Sequence, residues 1–442
     1  MPKKKNEHKE INKELFSFIA ASPSCYHTVS SAAKIFETAG FERLYEGECR
    51  NLKAGMGYFV IRNDSSVIAF RAPGKKPESF KIISSHSDSP CFKLKPNPEL
   101  KGDAYVTLNT EKYGGPLISP WFDRPLGLAG RVTVAGDGCI YTKLFDVGRD
   151  ILMLPGLAIH MDRDANKGHE FKLQKELTPV FTGAKSGKNV KEMIARTAGV
   201  KEADIIDMDA VVYCRSAATV WGADEEFISA PRLDDLQCVY SAVKALCSSS
   251  GRETAVNMCC IFNNEEVGSL SMQGADSSFL SDTLERIAFS FGLGRDEFLA
   301  ATSKSFQVSA DNGHSVHPNY PEKSDPANRP VMNGGVLIKR NASEKYTTDS
   351  VSAGIFKMIC KKAGVPFQDY VNHSDIPGGS TLGNISNAHV SMHSVDIGAA
   401  QLAMHSPYES AGAFDSLYLF KAMKCFYEAD ICADKDRFEI VF

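Results

Sequence analysis

Apolar residues recur at helical spacing over Asn12–Ala20 and Ser30–Ala39, which predicts two helices near the start of the chain. Short apolar runs at Phe59–Ile61, Val67–Phe70 and Phe80–Ser85 predict strands. From about residue 103 to residue 228 the texture changes. Tyr105–Leu108, Gly130–Ala135, Cys139–Leu144, Leu177–Phe181 and Ala210–Ser216 are short β-type runs punctuated by Gly, Pro and Asp. One helical stretch, Val190–Ala198, interrupts them. Beyond Pro231 strand and helix signals alternate. Leu236, Val239, Tyr240, Val243 and Leu246 mark a helix, and Ala255–Phe262 is a continuous strand-like run, apolar except at Asn257, of the kind buried on both faces of a sheet. Phe306–Ser309 and His389–Met392 predict further strands, and Ala411–Ala429 a long closing helix.

This alternation predicts an α/β fold with a largely parallel sheet covered by helices on both faces. The expected division is a discontinuous α/β unit of residues 1–102 and 229–442, with a β-rich unit, 103–228, inserted between. The 442 residues suit two or three such units, each able to bury a core. Composition narrows the function class. Lys and Arg number 50 against 54 Asp and Glu, a net charge of −4, so neither nucleic acid nor an anionic membrane surface is an expected partner. The longest apolar run, Ile151–Ile159, is broken by Pro155 and Gly156 and is far short of a membrane span. The opening run MPKKKNEHKEINKEL has no apolar segment behind it, and the twelve cysteines form no C-x-x-C pair. A cytoplasmic protein with reduced thiols is the expectation.

The chemistry is expected where apolar strands end. Ile82 and Ile83 run into His86-Ser87-Asp88; the strand ending at Phe262 runs into Glu265-Glu266; Val308 leads to Asp311 and His314. Asp234-Asp235 precede a helix, and His405 sits in a loop before the last one. In open α/β sheets, ligands bind beyond the carboxyl ends of the strands. Each feature also has a plain structural explanation: a surface Glu pair, a hydrogen-bonded loop histidine, an aspartate capping a helix. Taken as a set, histidine and carboxylate without cysteine make the donor set of catalytic zinc, cobalt or manganese. Two histidines and three carboxylates suit two ions, and a further carboxylate is needed as general base. The Glu265-Glu266 pair can supply both a ligand and that base. No Walker, dinucleotide, nucleophile-elbow or H-E-x-x-H motif is present, and the EF-hand-like run Asp162–Gly168 has its glycine one place late.

Several ordered blocks resemble the M18 metallopeptidases, the aspartyl aminopeptidase family. They are HSDSPCFKLKP (86–96), WFDRPLGLAGRV (121–132), PGLAIH (155–160), APRLDDL (230–236), NNEEVGSLSMQGA (263–275), SADNGHSVHPNY (309–320), IPGGSTLGNI (376–385) and DIGAAQLAMHS (396–406). The resemblance implies a metal-dependent exopeptidase domain with a mixed central sheet and an inserted β-rich dimerisation domain. It implies two divalent ions per subunit, zinc first with cobalt or manganese as alternatives. His86 and Asp311 would hold one ion, Glu266 and His405 the other, and Asp234 would bridge. Glu265 would be the general base acting on a metal-bridging water, and Asp88 would orient His86. His160 would reach a neighbouring subunit's active site, while His314, Gly378, Gly379 and Ser380 would line the substrate cleft. It further implies peptide substrates and dimers assembling into a tetrahedral dodecamer. NGGVLIK (333–339) departs from the acid-preferring pattern, so release of Asp or Glu and release of neutral residues both stay open, with Lys339 or Arg340 as possible partners of an acidic side chain. A deacylase of N-blocked amino acids and a non-catalytic shell or cargo protein are the alternatives.

Overall fold

The computed structural model describes residues 6–49, 51–434 and 437–442. The first five residues of the opening polar run lie outside the described residues. The main sheet has nine strands, in the order Glu42–Leu44, Gly57–Arg62, Ser66–Arg71, Ala255–Phe262, Ser79–His86, Phe306–Ala310, His393–Gly398, Val336–Lys339 and Phe367–Tyr370. It is mixed. Its four central strands, from Ala255–Phe262 to His393–Gly398, are mutually parallel, with antiparallel pairings on either side. Every residue of Ala255–Phe262 is buried, as a strand covered on both faces requires.

One face packs against helices Glu7–Ala20, Cys25–Thr38, Leu233–Ser248, Ser350–Ala363 and Asp415–Glu428, through Leu15, Phe36, Leu236, Phe356 and Phe426. The other packs against Phe279–Ser290, Arg295–Ser303 and Leu382–His389, through Phe279, Leu284, Phe298 and Leu382. Phe80 is fully buried in this second layer, edge-on to Phe298 at 6.3 Å between ring centroids. Phe80→Ala is expected to lower stability by about 3–5 kcal/mol, read as a fall in the urea midpoint; an unchanged midpoint would deny this layer its role in the core.

A second sheet, six-stranded and antiparallel throughout, runs Cys139–Asp146, Leu126–Gly136, Ile205–Cys214, Cys91–Lys101, Tyr105–Tyr113, Val180–Gly183. Its own core includes Phe92, Leu128, Val132, Val212 and Ile194 of helix Val190–Ala198. The strand Cys91–Lys101 lies ahead of residue 103, where the sequence texture changes. Pro96 and Pro98 hide it from a strand reading, and the pairing shifts register between Leu94 and Glu99 to accommodate them. A small third sheet, Thr219–Trp221, Phe227–Ala230, Glu409–Gly412, Ala400–Leu402 and Gly313–His314, includes segments next to the carboxyl edge of the main sheet.

Two further elements differ from expectation. His389–Met392 is not a strand: His389 ends a helix and the strand is His393–Gly398. Asp396 interrupts the apolar run that would mark it, yet is buried because Thr347, Thr348 and Thr381 satisfy its backbone and carboxylate. The closing helix begins only at Asp415, since Glu409–Gly412 pairs as a strand. The eleven cysteines whose side chains are described are all unpaired. No helix among the described residues is long and apolar enough to cross a membrane.

Candidate metal centre

Parallel strands present their carboxyl ends at one edge, and here that edge collects the chemistry. Ser79–His86 ends on His86 itself. Ala255–Phe262 passes through Asn264, held in the left-handed region at φ 63°, into a single turn carrying Glu265 and Glu266. Phe306–Ala310 delivers Asp311. Asp234 and Asp235 open helix Leu233–Ser248 with non-helical backbone angles, so they are not simple capping residues. His405 follows strand Ala400–Leu402.

The structure brings these side chains together. His86 Nε2 lies 3.4 Å from Asp234 Oδ1 and 4.0 Å from Asp311 Oδ1. His405 Nε2 lies 3.6 Å from Asp234 Oδ2 and 3.4 Å from Glu266 Oε2. Asp234 thus turns one oxygen to each imidazole. Three groups of potential ligand atoms lie within 4.8 Å of one another: His86 with Asp234, Asp235 and Asp311; His86 with Glu265 and Glu266; and Asp234 with Glu266 and His405. The outward nitrogens are also engaged. His86 Nδ1 is 3.0 Å from the Asp88 carbonyl and 3.5 Å from Asp88 Oδ1. His405 Nδ1 is 3.0 Å from the Gly115 carbonyl.

So many carboxylates in so small a volume shift one another. Burial, with Asp311, Asp88 and Asp234 nearby, pushes Glu265 up to about 8. Burial and Asp234 raise Glu266 well above the usual carboxylate range. Burial raises Asp311. Burial opposes the charged form of His86, yet Asp234 and Asp88 hold its pKa well above the ordinary imidazole value. Carboxylate oxygens Asp234 Oδ1, Asp235 Oδ1 and Glu266 Oε1 are buried without any hydrogen-bond partner. Orphaned carboxylate oxygens clustered with imidazole nitrogens fit divalent cations, and the absence of thiols from all three groups matches zinc, cobalt or manganese at a catalytic site.

A cleft of about 520 Å3 opens over the cluster and is lined by His86, Glu265, Glu266, Asp311, His314, Gly378, Gly379 and His405, among others. That volume lies within the range of ligand sites. Ser380 does not line it; its hydroxyl donates to Asn384 Oδ1 instead. His160 is exposed on a loop of the second sheet's segment and does not line the cleft. Lys339 is almost wholly buried, with Nζ 2.7 Å from the Asn312 carbonyl and 3.7 Å from Asp311 Oδ2. Arg340 instead lies 3.7 Å from Asp369.

Some residues that hold the cluster have no signal in the sequence. Glu409 is fully buried and accepts the backbone N–H groups of Asp234 (2.9 Å) and His405 (2.7 Å). Tyr113 donates to Asp88 Oδ2 at 2.6 Å. Asp88 Oδ1 and Oδ2 also accept from the backbone of Glu265 and Glu266, at 3.3 and 3.2 Å. A tyrosine ending a strand in a remote stretch and a glutamate four residues past a histidine carry no motif of their own.

The aminopeptidase I zinc metalloprotease (M18) family model matches residues 18–427. A probable M18 family aminopeptidase 2 of Clostridium novyi is 44% identical over 96% of this chain and 99% of its own length. A chain in the cryo-EM structure of the Ape4 and Nbr1 complex superposes with a TM-score of 0.92 at 34% identity, over 95% of this chain and 86% of that one. The S. cerevisiae mApe1 dodecamer structure matches with a TM-score of 0.84 at 25% identity, over 96% and 97%. With a mixed α/β fold, a buried histidine–carboxylate cluster and a family match along nearly its whole length, this chain belongs to the M18 family and is a metallo-aminopeptidase.

Proposed function

We propose that the chain is a dinuclear enzyme that removes single residues from the free amino terminus of peptides. His86 and Asp311 would hold one ion, His405 and Glu266 the second, and Asp234 would bridge them. The observation that carries this reading is Asp234, whose two oxygens face the two imidazoles at 3.4 and 3.6 Å. Zinc is the first choice by the donor set and by the family's description.

When bound, two such ions supply Lewis-acid polarisation of the scissile carbonyl and acidify the attacking water. The chain's own groups do the rest. Glu265, ionised once cations fill the site, would take the proton from the water on its carboxylate and return it to the departing amine. Asp88 fixes the His86 ring through Nδ1. His314, Gly378 and Gly379 line the cleft where the peptide would lie, and Ser380 supports that segment through Asn384.

Residues 1–102 and 229–442 would be the catalytic unit and 103–228 the unit for dimerisation. The loop around His160 carries exposed Leu157, Ile159 and Met161, an apolar surface suited to a second subunit, across which His160 would complete the neighbour's cleft. Dimers would build a tetrahedral dodecamer, in keeping with the dodecameric mApe1 match. The proposed setting is the cytoplasm.

The test is product analysis. Peptides with a free amine are expected to lose one residue at a time, while their N-acetylated forms stay intact. Cleavage of N-acetyl amino acids at a comparable rate would overturn this reading in favour of a deacylase. A turnover panel of Asp, Glu, Leu, Lys and Met substrates decides between acidic and neutral preference.

A further inference from the structure

The last residue of strand Tyr105–Tyr113 and the two glycines after it touch three groups of the cluster, although they extend from the second sheet. Tyr113 donates its hydroxyl proton to Asp88 Oδ2 at 2.6 Å. Asn264, beside Glu265, donates to the Tyr113 oxygen at 2.9 Å, and Lys93 Nζ sits 4.2 Å from the ring centroid. Gly114, at φ +73°, packs so closely on Glu266 that a Cβ there would lie 3.1 Å from the Glu266 Cβ and 3.3 Å from its Oε2. Gly115 offers its carbonyl to His405 Nδ1 at 3.0 Å, and Leu117 N–H donates to the His405 carbonyl at 3.0 Å.

We infer that Tyr113–Gly115 is a positioning strap by which the second sheet sets the orientation of both metal-binding imidazoles, and so the retention of the metal. This rests on the ligand assignment proposed above. One imidazole is reached through Asp88 and the other directly. A metal-binding histidine whose second nitrogen loses its partner rotates more freely and binds more weakly, by a factor of about 10–100 in affinity. Gly114 adds a steric condition. A side chain at residue 114 would strain the left-handed backbone and require Glu266 to shift by a few tenths of an ångström.

The experiment follows zinc release from the zinc-loaded full chain to excess chromogenic chelator, alongside steady-state kinetics on a free aminoacyl substrate. Tyr113→Phe is expected to release zinc about three to ten times faster, less than the factor of about 10–100 for loss of the imidazole's own partner, because Asp88 keeps its contacts to His86 Nδ1, with kcat falling by up to about tenfold and KM within about twofold. Gly114→Ala is expected to release it faster still; should that variant not fold, the release rate of Tyr113→Phe decides alone. Tyr213→Phe is the control. It removes a similar hydroxyl–carboxylate bond in the same sheet, to Asp146 at 2.7 Å, and is expected to match wild type. Release from Tyr113→Phe within about twofold of wild type would overturn the strap, as would equal acceleration in Tyr213→Phe. Wild-type protein that takes up no zinc at all would instead overturn the ligand assignment on which the strap depends.

Discussion

Replacing Glu265 by glutamine is expected to lower kcat by roughly 10²–10⁴-fold, the typical contribution of a positioned general base. Glutamine keeps the shape and the hydrogen-bonding reach of the side chain but cannot accept a proton from water at neutral pH. The ligand set proposed above does not include Glu265, so metal content should be unchanged. The substitution also removes one of several mutually repelling carboxylates, since Asp311, Asp88 and Asp234 all push the Glu265 pKa upward. The metal-free variant should therefore melt no lower than metal-free wild type. Turnover, elemental analysis and a melting curve check the three statements. Activity within tenfold of wild type, with metals present, would remove Glu265 from its role.

Stripping the metal is the second large effect. Chelation is expected to abolish turnover, and zinc, cobalt or manganese to restore it. It should also lower the melting midpoint by roughly 10 °C, as expected for loss of a tightly bound ligand. The size of that drop should depend on pH, and its sign follows from the shifts. In the metal-free protein Glu265 keeps its proton up to about pH 8, whereas in the unfolded chain it ionises near the ordinary value of 4.5. The stability this lends is complete below 4.5 and is lost as pH rises toward 8. Glu266, Asp311, Asp235 and Glu409 are raised in the same direction. Asp88 and Asp234 are lowered instead, so their contribution is lost only as pH falls below the ordinary value of 3.8. Cations held by Asp234, Glu266 and Asp311 would favour the ionised form of the raised carboxylates around them. The gap between metal-loaded and metal-free midpoints is thus expected to widen from about pH 5 to about pH 8. A gap that narrows over this interval would contradict the electrostatic account.

The parts of this molecule legible in its sequence are those where one strong local signal has one meaning. Ala255–Phe262 is apolar at nearly every position because it is buried on both faces, and a polar pair at its end stands out for that reason. His86, Glu265, Glu266 and Asp311 follow from the rule that parallel strands deliver to one edge. The hidden parts are those where local composition conflicts with tertiary context. Asp396 inside a central strand is tolerated because three threonines meet it, and nothing near it in sequence announces them. Pro96 and Pro98 disguise a strand because a register shift absorbs them. Glu409 accepts from backbone N–H groups and Gly115 offers its own carbonyl, and backbone groups have no residue-type signature.

The spread of the cluster along the chain has a consequence for biogenesis. The side chains that converge run from His86 to His405, and the central sheet places strand Ala255–Phe262 directly beside Ser79–His86. Contacts of such separation form late and slowly. A nascent chain therefore carries no assembled site while most of it is still emerging from the ribosome. Activity that needs the ligands proposed here would wait for the same long-range pairing that completes the core.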